Sequence, residues 1–219
     1  MKNVKSGPAL NTHIIGCLLM AIAGWIDTVA IQIILTENIS FLTGRIAKLG
    51  RFILSGNKPG TAAVILIVIF FIVGAYISAK LTMKGGASLG LLFSAGLIIL
   101  TSLVLSLTDL SVIAYITLPM SMGSQNAASS MTDINRTTHL TGPVTDIGIN
   151  LAQGNLKQAI FWIVRALCFV LGVAAAFYFT EKKASLFFLL VLPAFFLVIA
   201  ALLLKIYLIT PVITEAEDT

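Results

Sequence analysis

Asp27 is the residue in this chain best placed to do chemistry. It is the only charge in a run from Ile14 to Thr36. A carboxyl group in such apolar surroundings either takes up a proton or finds a buried partner, because an ionised, unpaired carboxylate is expensive there. Such a group can bind a polar solute, carry a proton, or simply accept hydrogen bonds from nearby backbone. A second polar set, Asp133, Asn135, Arg136, Thr137, Thr138 and His139, lies in the other half of the chain. Arg136 suits an anionic solute, although an ion pair with Asp133 or Asp146 is the expectation for it. His139 has no acidic or cysteine neighbour at metal-ligand spacing, so it reads as a helix-flanking residue. No metal or cofactor ligand set is evident, and there is no Gly-x-Ser-x-Gly, no His-Glu-x-x-His and no phosphate loop. An enzyme is not expected.

The elements that position these residues are duplicated. Leu42-Thr43-Gly44, Gly50 and Gly56-Asn57 recur 98 residues later as Leu140-Thr141-Gly142, Gly148 and Gly154-Asn155. The same displacement carries Phe71 onto Phe169 and Gly74 onto Gly172, while Gly24 and Asp27 match Gly123 and Asn126 at 99. Asp27 is therefore paired with Asn126, which follows Gln125. One half offers a titratable group where the other offers a neutral amide.

Composition makes the bilayer the solvent. The chain is 58% hydrophobic and 11% charged with mean hydropathy +1.02, against roughly 25% charge in soluble domains. Six apolar runs reach or approach the about 20 residues a span requires. The first is too long for a signal-peptide core. The segments Phe41 to Asn57 and His139 to Asn155 are amphipathic. Arg45, Lys48 and Arg51 make a full crossing by the first of them costly, at about 2.5 to 3.5 kcal/mol per central charge. The expected fold is thus all-α and polytopic, with six transmembrane helices in a 3+3 inverted repeat. The first repeat covers 1–109 with a half-helix at 43–56. The second covers 110–219 with a half-helix at 141–154, and together they make one integral membrane domain. Thr43 and Thr141 are expected to cap the half-helices, and Gly56-Asn57 and Gly154-Asn155 to end them. Half-helix N-termini that met inside the membrane would aim amides and partial positive charge at one solute. Helices lying at the interface are the alternative.

Trp25 and Trp162 read as lipid or interface anchors, and Cys17 and Cys168 as reduced packing residues. Basic residues scattered between spans suit anionic headgroups better than nucleic acid, despite a net charge of +5. Lys and Arg outside the spans number eight on the N-terminal side, counting Arg165, and six on the other. Withdrawing the first amphipathic segment makes this eight against three, which favours a cytoplasmic N-terminus. The acidic tail Glu215, Glu217 and Asp218 contributes little.

Four ordered motifs, Gly24-Trp25-Ile26-Asp27, Ser40-Phe41-Leu42-Thr43-Gly44, Met122-Gly123-Ser124-Gln125-Asn126-Ala127 and Arg136-Thr137-Thr138-His139-Leu140-Thr141-Gly142, together resemble the YoaK-like (DUF1275) family. The resemblance implies a multi-pass protein of the bacterial inner membrane and no particular substrate. That family's first motif usually reads Met-Thr-Gly-Asn; Leu42 and Arg45 stand here instead. From the residues themselves we expect a permease for a small polar or anionic solute, with proton coupling through Asp27 as one form of it. Thr43, Gly44, Thr141 and Gly142 would be central, with Asp27, Gln125, Asn126 and Arg136 around them. A passive channel and a non-transporting scaffold are the alternatives, and a homo-oligomer is compatible with each.

Overall fold

The computed structural model describes residues 10–31, 39–40, 42–108 and 110–206. Phe41, the far end of the first apolar run and the acidic tail lie outside the described residues. Within them are eight helices and no strand: α1 Leu10–Val29, α2 Leu42–Leu54, α3 Lys58–Gly85, α4 Ala87–Leu107, α5 Val112–Ser130, α6 Thr141–Ala152, α7 Leu156–Glu181 and α8 Leu186–Ile206. Five of them, α1, α3, α4, α7 and α8, are long and apolar enough to cross a membrane, so the chain is a multi-pass membrane protein. The sixth expected span, α5, falls short of that apolarity because Ser121, Ser124, Gln125, Asn126, Ser129 and Ser130 crowd its second half.

Apart from exposed Ser130, those polar side chains face inward. Ser94 bonds Ser121 (Oγ to Oγ 2.8 Å), Ser124 donates to the Gly90 carbonyl at 2.8 Å, and Ser78 donates to the Ser124 carbonyl at 2.8 Å. Ile65, Ile69, Ile72, Val164, Leu167 and Val170 face outward instead. This inversion follows from the solvent: lipid gives apolar side chains little reason to seek each other, so helices adhere through small residues and hydroxyls.

The two tightest crossings are made by glycines that recur in the sequence. A Cβ on Gly24 would overlap the Phe169 carbonyl oxygen, and one on Gly172 would overlap that of Ala21. Their counterparts behave alike: Gly123 abuts the Phe71 carbonyl and Gly74 the Met120 carbonyl. Hence α1 packs on α7 and α3 on α5, the first helix of each unit lying against the long helix that follows the short one in the other. Rings meet at both ends of the first crossing, His13 with Phe161 at 3.8 Å and Trp25 with Phe179 at 5.7 Å, so α1 and α7 run parallel.

The corners after the short helices are also duplicated. Gly56 and Gly154 take positive φ, 67° and 71°, and the next amides close the turn, Asn57 N to Phe52 O at 2.9 Å and Asn155 N to Asn150 O at 2.8 Å. The asparagines do not end the short helices, contrary to expectation. They begin the long ones: Asn57 Oδ1 accepts from Gly60 N at 3.0 Å, and Asn155 Oδ1 from Gln158 N at 3.3 Å. Threonine capping is likewise corrected. Thr43 and Thr141 sit inside the first turns, and Leu140 holds the cap position of α6 without a side-chain bond.

Candidate functional site

Asp27 stands in the last turn of α1, 6% exposed. Its Oδ1 accepts from the amides of Ile39 (3.1 Å) and Ser40 (3.0 Å), and its Oδ2 accepts from the Ser40 hydroxyl. The carboxyl group thus supplies the hydrogen-bond acceptors for the backbone just before α2. Buried Arg45, one turn into α2, lies within its electrostatic reach.

A cavity of about 260 Å³ opens beside this network. Asp27, Thr28 and Ile31 of the first segment and Ser40 form one wall; His139, Leu140 and Thr141, opening α6, form another; Phe169 and Val173 of α7 complete it. A second cavity, about 270 Å³, is lined by Asn135, Arg136, His139, Gly142, Pro143, Asp146 and Trp162. His139 belongs to both linings. A third, about 200 Å³ between α1, α7 and α8, is lined by residues such as Leu18, Ile22, Leu171 and Phe196 and has nothing to orient a polar solute.

The sequence-derived residues separate accordingly. Asp27 and Thr141 share the first cavity, Arg136 and Gly142 the second. Arg136 makes no ion pair with Asp133 or Asp146 among the described residues, although Asp146 lines the same space. Thr43 is exposed and Gly44 half-buried at the start of α2, and both lie outside these two linings. Gln125, 1% exposed, donates to the Leu19 carbonyl at 2.8 Å and to Thr137 Oγ1 at 3.3 Å, tying α5 to α1 and to the segment before α6. Asn126 Oδ1 is buried and lacks a hydrogen-bond partner among the described residues.

The DUF1275 family model, whose description is a protein of unknown function, matches residues 15–206. The chain belongs to the DUF1275 family. Comparisons with curated proteins and with solved structures find no match.

The match takes in both polar cavities of this DUF1275 protein. His139, expected only to flank a helix, lines both of them, and Ser40, not among the expected site residues, lines the first. Trp162, expected at the lipid interface, is 7% exposed and lines the second cavity; Trp25, 8% exposed, donates its indole N–H to the Leu189 carbonyl at 2.8 Å. Both are corrected from lipid anchors to interior residues. Arg165, counted above as a loop charge, is fully buried within α7. It donates to the carbonyls of Ile134 and of Thr12 (3.3 Å) and lies 4.2 Å from the Phe161 ring centre and 5.3 Å from that of Trp162. Gly16 makes room for it. Arg165 steadies the segment before α6 through a carbonyl, as Asp27 steadies the one before α2 through amides. A lone cation flanked by Ile160–Val164 and the long run from Ala166 was the available signal.

His139 of this DUF1275 protein is pushed below the ordinary histidine pKa, first by burial and then by the Arg136 charge. The folded state therefore favours neutral imidazole. Its share of stability is complete above the unfolded pKa of about 6.5 and is lost as pH falls through the lower folded value. Melting temperature should accordingly drop between about pH 7 and about pH 5, and His139→Gln should flatten that part of the profile. Superimposable wild-type and variant profiles would show that His139 does not titrate in this way.

Proposed function

We propose that this protein is a permease for a small polar or anionic solute, coupled to protons through Asp27 and seated in the bacterial inner membrane. The observation that carries the reading is the shared cavity: the segment leading into α2 and the start of α6 converge on one polar space with a carboxyl group in its wall. Arg136 and the Gly142 end of α6 in the adjoining cavity favour negative charge on the solute.

The inverted repeat belongs to this proposal, with the halves at 1–109 and 110–219. At 13 and 12 residues, α2 and α6 are about 18 to 20 Å long, short of a hydrocarbon core of about 30 Å. If neither crosses, and α5 is the sixth span with its polar residues turned inward, α1 and its counterpart α5 enter from opposite faces. The matched glycine crossings support that symmetry. An enzyme remains outside the proposal, since the polar groups around the cavities form no recognisable nucleophile or acid–base constellation.

Uptake into proteoliposomes tests the reading, using a panel of labelled small carboxylates, phosphate and zwitterions, with and without an imposed proton gradient. We expect saturable uptake that follows the gradient, and we expect Asp27→Asn to keep solute binding while losing the gradient response. A response retained by the variant ends the coupling role. Flux that never saturates indicates a passive channel, and no flux for any solute indicates a scaffold.

A further inference from the structure

We infer that the cavity lined by Arg136 and Asp146 holds the zwitterionic head of an α-amino acid, whose neutral side chain reaches into the cavity beside Asp27. The inference rests on the permease reading and names its solute. Arg136 and Asp146 line one space of about 270 Å³ and make no ion pair with each other among the described residues. Two opposite charges that face one cavity without pairing suit a solute that carries both signs close together. A bare anion would answer Arg136 and meet Asp146 as a like charge, and a bare cation would do the reverse. A zwitterion answers both, and it brings no net charge into a membrane interior where charge is costly.

The carboxylate end finds further donors. A guanidinium can grip a carboxylate with two parallel hydrogen bonds. Helix α6 closes its first turn when the Val144 amide bonds the Leu140 carbonyl at 2.9 Å, so the Gly142 N–H comes before that turn and has no helical acceptor. Nothing stands within 4 Å of the place a Cβ on Gly142 would take, which leaves the approach to this amide open. Trp162, 7% exposed, walls the same space and shields these bonds from water on one side.

The side chain has its place in the other cavity. Thr141 lines the cavity beside Asp27, its neighbour Gly142 lines this one, and His139 belongs to both, so the two spaces meet along the first turn of α6. At about 260 and about 270 Å³ neither alone reaches the roughly 300 Å³ at which small-molecule sites begin, and together they exceed it. Ile31, Leu140, Phe169 and Val173 give the first cavity an apolar lining for an aliphatic side chain. His139, favoured in its neutral form by burial and by Arg136, adds no third charge between head and tail. Asp27 keeps its own donors and is left to the proton, so recognition of the head and coupling fall to different carboxyl groups.

The test is equilibrium binding to the purified protein in lipid nanodiscs, read by isothermal titration. The probes are L-alanine, L-valine, L-leucine and L-methionine, each beside the matching acid without the amino group and the matching amine without the carboxylate; for L-leucine these are isocaproate and isoamylamine. We expect at least one amino acid to bind saturably and both of its analogues to bind about tenfold more weakly or worse, the cost of one unmade charge-assisted bond. Arg136→Gln should bring that amino acid down to the level of its amine, and Asp146→Asn down to the level of its acid; if a variant does not accumulate, the wild-type analogues decide alone. An acid that binds as tightly as its amino acid would overturn the zwitterion and leave an anion permease standing. Discrimination retained by both variants would overturn the placing of the head at Arg136 and Asp146. No binding by any of the four amino acids would overturn the inference too, and the uptake panel then shows separately whether the permease reading survives with another solute. Discriminating binding without flux would keep the site and end the permease reading.

Discussion

Asp27→Leu should prevent accumulation of folded protein, while Asp27→Asn should fold with a loss of about 1 to 3 kcal/mol. Leucine would leave the amides of Ile39 and Ser40 and the Ser40 hydroxyl without their acceptor. Each stranded buried donor costs about 1 to 3 kcal/mol, and three together approach the about 5 to 15 kcal/mol that holds a typical protein folded. Asparagine keeps a carbonyl oxygen for the two amides, and the Ser40 hydroxyl can turn to accept from the new NH₂ group. Membrane-fraction yield and melting temperature of the two variants measure the difference. Equal values for Leu and Asn would mean that the buried network does not hold the chain.

The second large effect separates glycines that look alike in the sequence. Gly172→Ala and Gly74→Ala should each destabilise by about 1 to 3 kcal/mol or more, because the added methyl meets a backbone carbonyl that cannot rotate away. Gly50→Ala and Gly148→Ala, in α2 and α6, should be neutral or stabilising by up to about 1 kcal/mol. Their Cβ positions open onto empty space, and alanine is the better helix former. Thermal unfolding in one detergent ranks the four. A ranking in which the motif glycines of α2 and α6 cost as much as those of the crossings would place a partner against the short helices.

That contrast shows what was legible in the sequence. The duplication, the apolar runs, the short amphipathic helices and the buried carboxyl could all be read because each is a local pattern with its own physical signature. The glycines at 50 and 148 announced the repeat without being contacts in it, whereas 24, 74, 123 and 172 carry the packing. Which threonine caps, which asparagine stops a helix and which tryptophan faces lipid depend on a single turn of backbone or on a distant helix. Asn57 begins α3 because Gly56 has already turned the chain. His139 gained its place between two cavities only when α7 came to lie beside the first helix and the start of α6. The carbonyls that hold Arg165 belong to Ile134 and Thr12, partners that no spacing rule connects to it.

The exchange of helices at the two crossings also dictates an order of assembly during synthesis. When α1 first leaves the translocation machinery, the helix it packs on has not yet been made: the Arg165 bond to Thr12 spans 153 residues, and that from Trp25 to Leu189 spans 164. Its glycine face must wait in lipid, which is tolerable for small apolar groups. The carboxyl group of Asp27 is the one feature that waits badly, and its donors lie only 12 and 13 residues downstream. They are the first partners to emerge from the ribosome. The nascent chain can therefore mask its costly charge early and leave the closure of α1 on α7 to the last stage of insertion. A chain that stops before α7 would carry an unclosed α1, which membrane quality control can recognise.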